Sequence, residues 1–193
     1  MVTPSNTEAA EGGDRGTSRK SITVLRIGHR YVRDYRTLTH LCLVSRALGA
    51  EGIYLEEFDD GLLETINGVN ETWGPGFDVF KAPSWRTVMT QAKKEGRTTV
   101  HLTMYGLPLQ DKIEELRNID KFLLVVGGPK VPGEVYKLAD YNLGVTSQPH
   151  SEIAALAILM HELQSGEELK KEFRASRIRI VPSEKGKKVE KLA

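Results

Sequence analysis

The stretch from Leu25 to His40 concentrates chemistry that a connecting loop does not need. Arg30, Arg33 and Arg36 recur every three residues, interleaved with His29, Tyr31, Tyr35 and His40. A guanidinium presents a planar fork of donors suited to phosphate and ribose oxygens, so this segment predicts a polyanion-facing turn. Three later segments carry glycine, hydroxyl and amide groups: Met-Tyr-Gly-Leu-Pro at 104–108, Gly-Gly-Pro-Lys-Val-Pro-Gly at 127–133, and Thr-Ser-Gln-Pro-His-Ser-Glu at 146–152. The glycines of the second allow a ligand close to the backbone, and its prolines then fix the chain.

Several familiar chemistries fail on spacing. A phosphate loop needs Gly-Lys-Ser/Thr after four residues, and Pro132, Gly133 and Glu134 stand there instead. The dinucleotide fingerprint belongs to the first strand–helix turn, whereas this glycine pair lies in the fifth. His150 and Ser151 are adjacent without a Gly-x-Ser-x-Gly elbow, which argues against a hydrolase. His29 and His40 are too far apart for a helical metal pair. Cys42 is the single cysteine, so an internal disulfide and cysteine-paired zinc are excluded.

The elements that must position these groups alternate. Short β-rich apolar runs at 22–27, 52–55, 77–80, 98–103, 122–126 and 141–145 predict strands. Between and after them, 37–48, 60–73, 84–95, 110–118, 132–139 and 151–163 predict helices. Ser84 is a capping residue, Gly49, Gly74 and Gly96 are stops, and Pro132 stands in a first turn. A late strand is expected at 178–181. Six strands each followed by a helix imply an α/β fold, a mostly parallel six-stranded sheet with helices on both faces. Ligands of such sheets sit at the carboxyl ends of the strands, where the strand order reverses, so the three late segments are expected to converge.

Composition agrees with a globular protein: 193 residues, 39% hydrophobic, 27% charged, with one domain's worth of chain. The longest unbroken apolar run, 153–160, is too short to span a bilayer, and the first twenty residues hold no apolar core of a secretory signal. A cytoplasmic protein without membrane association is expected. Residues 1–21, rich in Gly, Ser and Thr, read as a disordered tail, 22–166 as the domain, and 167–193 as a basic extension. The net charge of +1 hides blocks: five arginines against Asp34 between Arg26 and Arg46, then six acids and no base from Glu51 to Glu64. A polyanionic partner would meet localised patches rather than a general field.

Arg26-Ile-Gly-His-Arg30, Arg33-Asp34-x-Arg36-x-x-Thr39-His40 and Ser45-Arg46-Ala47-Leu48-Gly49-Ala50 resemble the opening blocks of the archaeal tRNA cytidine-56 2′-O-methyltransferases. Leu102-Thr103-Met104-Tyr105-Gly106, Val125-Val126-Gly127-Gly128-x-Lys130-Val131-Pro132 and Ala139-Asp140-Tyr141-Asn142, followed by Gln148-Pro149-His150-Ser151-Glu152, resemble the later ones. The resemblance covers roughly residues 22–163. One departure is Ser147, where Asn is expected; it bears on a side-chain hydrogen bond and not on the fold.

That resemblance implies a knotted (SPOUT-type) methyltransferase with a C-terminal trefoil knot, active as a homodimer on tRNA, with S-adenosyl-L-methionine as cofactor and no metal. The cofactor would lie against Leu102, Thr103 and Gly106, against Gly127, Gly128, Lys130 and Val131, and against Thr146, Ser147, Gln148, His150 and Ser151. Side chains at 127 and 128 would obstruct it. Arg30, Arg33 and Arg36 would be the catalytic group, clamping phosphate and stabilising the developing oxyanion. Deprotonating an arginine near pH 7 costs about 7–9 kcal/mol, which disfavours it as the base. Histidine is the residue type that titrates near neutrality, which makes His29, His40 and His150 candidate acceptors. The alternatives are a catalytically inactive tRNA-binding protein of the same fold, a knotted methyltransferase acting on another RNA position, and, from the alternation alone, a flavodoxin-like nucleotide enzyme.

Overall fold

In the computed structural model, residues 20–28, 31–128 and 130–192 are described, with side chains from 36 onward in the first helix. The predicted tail, apart from Lys20 and Ser21, lies outside them, as do His29, Arg30 and the side chain of Arg33. Six parallel strands form one sheet: β1 (Ser21–Ile27), β2 (Gly52–Leu55), β3 (Asp78–Lys81), β4 (Thr98–Pro108), β5 (Lys121–Gly127) and β6 (Tyr141–Gly144), in the order β3-β2-β1-β5-β4-β6. The order reverses between β1 and β5, as a ligand crevice at the strand ends requires.

Alternation along the strands sorts the core onto two faces. Ile22 and Val24, with Phe122, Leu124 and Val126, face α1 (Tyr31–Ala47), α2 (Asp60–Trp73), α4 (Ile113–Leu116) and α6 (Glu152–Gln164). Leu25, Ile27, Leu123 and Val125 face α3 (Trp85–Lys94) and α5 (Gly133–Leu138). Both faces are therefore covered, which is why the central strands read as nearly continuous apolar runs. Caps set the helix starts: the Asp59 carboxylate accepts from Leu62 N at 2.9 Å, and Ser84 Oγ from Thr87 N at 3.1 Å. Burial on α1 pushes the Cys42 thiol up to about 12, so it packs as a small hydrophobe.

Three elements differ from the sequence expectation. The first helix begins at Tyr31 and not at 37; its opening turns are the arginine-rich stretch that reads from sequence as a loop. Arg33 and Arg36 are therefore helical residues, not loop residues. The segment expected as one helix at 110–118 is a 3-10 turn (Leu109–Asp111) followed by the single-turn α4. The strand at 178–181 (β7) is half of an antiparallel hairpin with β8 (Lys188–Lys191), whose Lys-Val-Glu-Lys sequence carries little strand signal.

Candidate functional site at the carboxyl edge of the sheet

The three late segments follow adjacent strands, in the order β5-β4-β6, and those after β4 and β6 pack on each other. β4 was expected to end at 103 but continues to Pro108, pairing with β6 twice: Leu102 and Leu107 both register with Leu143. The intervening residues, Thr103 to Gly106, are pushed out as an excursion over the end of β6. Gly106 makes this pass possible, since a Cβ there would lie 2.5 Å from the backbone of Asn142 and Leu143. A Cβ on Gly144 would approach Thr103 O at 3.1 Å and the carbonyls of Gly106 and Thr146 at 3.7 Å. The exits of β4 and β6 are thus stacked backbone to backbone.

The β5 exit closes from the other side. A Cβ on Gly127 would come within 2.2 Å of Val131 Cγ2, so this glycine is required by the turn's own fold. Gly128 is different: among the described residues the nearest atom to a Cβ there is Gly28 O at 3.6 Å, an ordinary contact beside the end of β1. Lys130 is exposed and Val131 half-buried. Thr146, Ser147, Gln148, His150 and Ser151 are all exposed, whereas the Leu102 side chain is in the core and offers only its backbone. Arg36 is exposed on α1.

A polar network that the sequence did not reveal ties these exits together beneath the surface. His101, 1% exposed, meets Asn142 Oδ1 through Nδ1 at 2.8 Å; Asn142 Nδ2 donates to Tyr136 O at 2.8 Å. With Nδ2 donating, Oδ1 is the acceptor, so the imidazole proton is on Nδ1. The Tyr136 hydroxyl joins Thr103 Oγ1 at 2.9 Å, and its ring packs edge-on against His101 with centroids 4.7 Å apart. Burial holds the His101 imidazole below the usual histidine range, although the Asn142 bond pulls the other way. α5, β4 and β6 are thereby fixed to one another at the root of the excursion.

A second device was also missed. Arg26, 3% exposed near the end of β1, reaches Glu152 Oε1 through Nε and Nη2, both at 3.3 Å. Glu152 opens α6, where Ser151 Oγ caps Ile153 N at 3.2 Å, and an acid there is favoured by the helix dipole. Its second oxygen, Oε2, is buried without a hydrogen-bond partner among the described residues. Both residues stand in the quoted sequence blocks, but 126 positions apart.

A partly open pocket of about 150 Å³ lies elsewhere, between α3 and the sheet against Thr23, Tyr54, Val88, Gln91 and Leu123. It holds none of the groups above, and the convergence of strand exits, not that void, defines the candidate site. Among the described residues no group of three or more His, Cys, Asp or Glu is placed to hold a metal ion, and no helix is long and apolar enough to cross a membrane.

Comparison with known proteins accounts for this arrangement. Residues 73–190 match the family described as tRNA ribose 2′-O-methyltransferase, aTrm56. A tRNA (cytidine(56)-2′-O)-methyltransferase of Methanopyrus kandleri is 49% identical over 170 residues, 88% of this chain and 96% of the relative. The chain belongs to this family. A relative of the same description from Nitrosopumilus maritimus is 47% identical over 169 residues, 88% of this chain and 96% of its own. The fold is shared with solved methyltransferases of much lower identity. The crystal structure of an RNA 2′-O ribose methyltransferase superposes with a TM-score of 0.57 at 16% identity, covering 78% of this chain and 58% of that one. The SpoU methyltransferase AviRb from Streptomyces viridochromogenes, in complex with the cofactor AdoMet, gives 0.54 at 11% identity, covering 80% and 62%. This chain spans under two thirds of the length of either. The expected SPOUT-type parallel sheet is thus the observed one.

Proposed function

We propose that this protein transfers a methyl group from S-adenosyl-L-methionine to the ribose 2′-oxygen of cytidine 56 in the T-loop of tRNA. The observation that carries the reading is the junction of the β4, β5 and β6 exits in a family of tRNA ribose methyltransferases. The residues present suit the cofactor. Gly128 leaves a Cβ-free surface, the 146–151 segment offers exposed hydroxyl and amide groups, and Glu152 Oε2 is a buried acceptor awaiting a donor. The cofactor's amines and hydroxyls are such donors. Gly106 and Thr103, with the backbone of Leu102, form the wall opposite Gly127, Lys130 and Val131.

When bound, the cofactor supplies an electrophilic sulfonium methyl and a neutral leaving group. What the protein must do is hold the ribose oxygen in line and take one proton. Arg36, exposed on α1, is assigned to the RNA backbone, and Arg30 and Arg33 join it by their sequence spacing. Arg26 is not one of this set, because its guanidinium is buried against Glu152; it anchors α6 to the end of β1. His150 is the favoured proton acceptor. Its Nδ1 lies 3.2 Å from Ser151 O, an acceptor, so the ring proton sits there and Nε2 keeps a free lone pair. The reading includes the homodimer and the trefoil knot of the family; the tight pass of Gly106 over Asn142 is the local feature that supports the latter.

Labelled methyl transfer to an unmodified tRNA transcript tests the proposal. Incorporation is expected, mapped to cytidine 56 and lost when that residue alone is 2′-deoxy. Binding of tRNA without incorporation would leave an RNA-binding protein and refute the enzymatic reading.

A further inference from the structure

The last segment of the chain is neither a loose tail nor part of the site. Phe173 lies under the Arg46 guanidinium, 4.4 Å from its centre, and Arg46 also bonds Asn70 Oδ1 at 3.0 Å and the carbonyl of Gly74. Gly74, at φ +98°, is pressed so closely that a Cβ would sit 2.7 Å from Arg174 O. Arg177 N then donates to Thr72 O at 2.9 Å, and the β7–β8 hairpin begins. α2 runs back from the carboxyl edge of the sheet, so its C-terminal end, and the hairpin on it, stand by the opposite edge from the candidate site.

From Arg177 to Lys191 the hairpin carries six Lys or Arg against two Glu. One Glu is already used, since Glu190 Oε2 accepts from Arg179 at 2.8 Å. Arg177 has only a loose pairing with Glu71, at 3.8 Å. Lys185, Lys187, Lys188 and Lys191 are exposed, and no carboxylate among the described residues pairs with them. Their positions run through the turn and along β8, with Lys188 opposite Val181 and Lys191 opposite Ile178. The cross-strand pair Ile180–Val189 remains 61% and 54% exposed between these cations. A two-stranded hairpin that leaves its apolar pair in water is a marginal structure, and here it is held by its anchor alone.

We propose that the β7–β8 hairpin is a second RNA-docking surface, binding the phosphate backbone of the tRNA remote from the methyl-transfer site. This rests on the tRNA reading above and adds a contact that the reading does not need. The charge argues for a polyanion in preference to a second copy of this chain. A symmetric pairing of hairpins would oppose six cations with six, whereas a phosphate backbone neutralises them and releases its counterions. The anchoring argues for positioning: a tail that served only solubility would not need the Arg46–Phe173 clasp.

The test is equilibrium binding of full-length tRNA transcript as a function of salt, for the wild-type protein and for the Lys185→Gln/Lys187→Gln/Lys188→Gln/Lys191→Gln variant. Each lost phosphate contact lowers the slope of log affinity against log salt by about 0.7–0.9. A slope smaller by about 2.8–3.6 and tRNA binding weaker by about tenfold or more are expected, with the affinity for S-adenosylmethionine and the sedimentation mass unchanged. An unchanged slope overturns the proposal. So does a change in mass, which would assign the surface to a second copy of this chain. If the fourfold variant does not fold, the pair Lys187→Gln/Lys188→Gln reads the same quantity, with a slope change of about half that size. Because binding is measured without transfer, failure of the wild-type protein to methylate would refute the enzymatic reading and leave this result standing.

Discussion

Replacing Tyr136 by Phe removes one oxygen and keeps the ring that packs against His101 at 4.7 Å. What disappears is the 2.9 Å bond to Thr103 Oγ1, the one side-chain hydrogen bond from α5 to the β4 excursion among the described residues. Thr103 Oγ1 keeps a longer contact, accepting from Tyr105 N at 3.3 Å. A half-buried neutral hydrogen bond contributes ~0.5–1.5 kcal/mol net. If about 1 kcal/mol of it serves to hold Thr103–Gly106 in place for the cofactor, affinity for S-adenosylmethionine falls about fivefold. If it serves global stability alone, Tm falls by about 2–4 °C and affinity does not move. Calorimetric titration with the cofactor separates the two, and transfer kinetics should show KM for the cofactor raised with kcat at saturation nearly unchanged. Thr103→Ser keeps a hydroxyl and should retain affinity where Thr103→Val does not. A Tyr136→Phe protein with a lowered Tm and wild-type cofactor affinity would refute the positioning role.

The two glycines of the β5 exit should part company. Gly127→Ala is expected to destabilise the fold by about 1–3 kcal/mol through the clash with Val131, and Val131→Ala should restore most of it; no rescue in the double variant would refute the packing argument. Gly128→Val should leave Tm near wild type and abolish cofactor binding, and unaltered affinity removes Gly128 from the site. Arg36→Ala should reduce transfer to tRNA by about tenfold or more, the scale of one charge-assisted hydrogen bond, with cofactor affinity preserved; equal losses in both would point to folding. The neutral His101 is the folded form, so its contribution is full above the unfolded histidine value of about 6.5 and is lost as pH falls below it. Denaturant midpoints measured from pH 7.5 to 5 should therefore decline, and less so in His101→Gln; an identical decline in that variant refutes the assignment.

Local signals carried most of the architecture. The helix at Asp60–Trp73 was legible to the residue because Asp59 caps it, Gly74 stops it, and Leu62 and Ile66 mark its buried face. The central strands were legible because both their faces are buried. The start of α1 was not, because the arginines among Tyr31, Tyr35 and Leu38 read as loop chemistry and masked their helical spacing, and β8 was not, because two of its four residues are lysines. At the site, spacing located the three turns but could not say how they join. Thr103 finds Tyr136 across 33 positions, His101 finds Asn142 across 41, and Arg26 finds Glu152 across 126. Each member lies inside a segment whose apolar or capping signal masks it, and only the strand order brings the partners together. Gly127 is the converse case: its presence was noticed, but its packing against the neighbour four residues on, Val131, was not.

The two buried polar devices lie on opposite faces of the sheet. Arg26 shares the register of Ile22 and Val24 and meets α6; His101 alternates with Val100 and Leu102 and meets α5. A parallel sheet covered on both sides gives such groups no water, so each must be paired within the protein or remain a large penalty. Apolar residues would fill the same volume at lower cost, and a buried ion pair is often no more stable than its hydrophobic replacement. What apolar packing would not do is fix direction. Hydrogen bonds at the ends of β1, β4 and β6 determine the angle at which each chain leaves the sheet, and those departures are the walls of the candidate site. Among the described residues three buried side-chain oxygens lack a hydrogen-bond partner, Ser45 Oγ, Glu168 Oε2 and Glu152 Oε2, and the last is at the mouth of the final helix, where the chain from β6 arrives. Of the three it is the one at the carboxyl edge of the sheet, where a ligand's amine or hydroxyl would supply the missing donor.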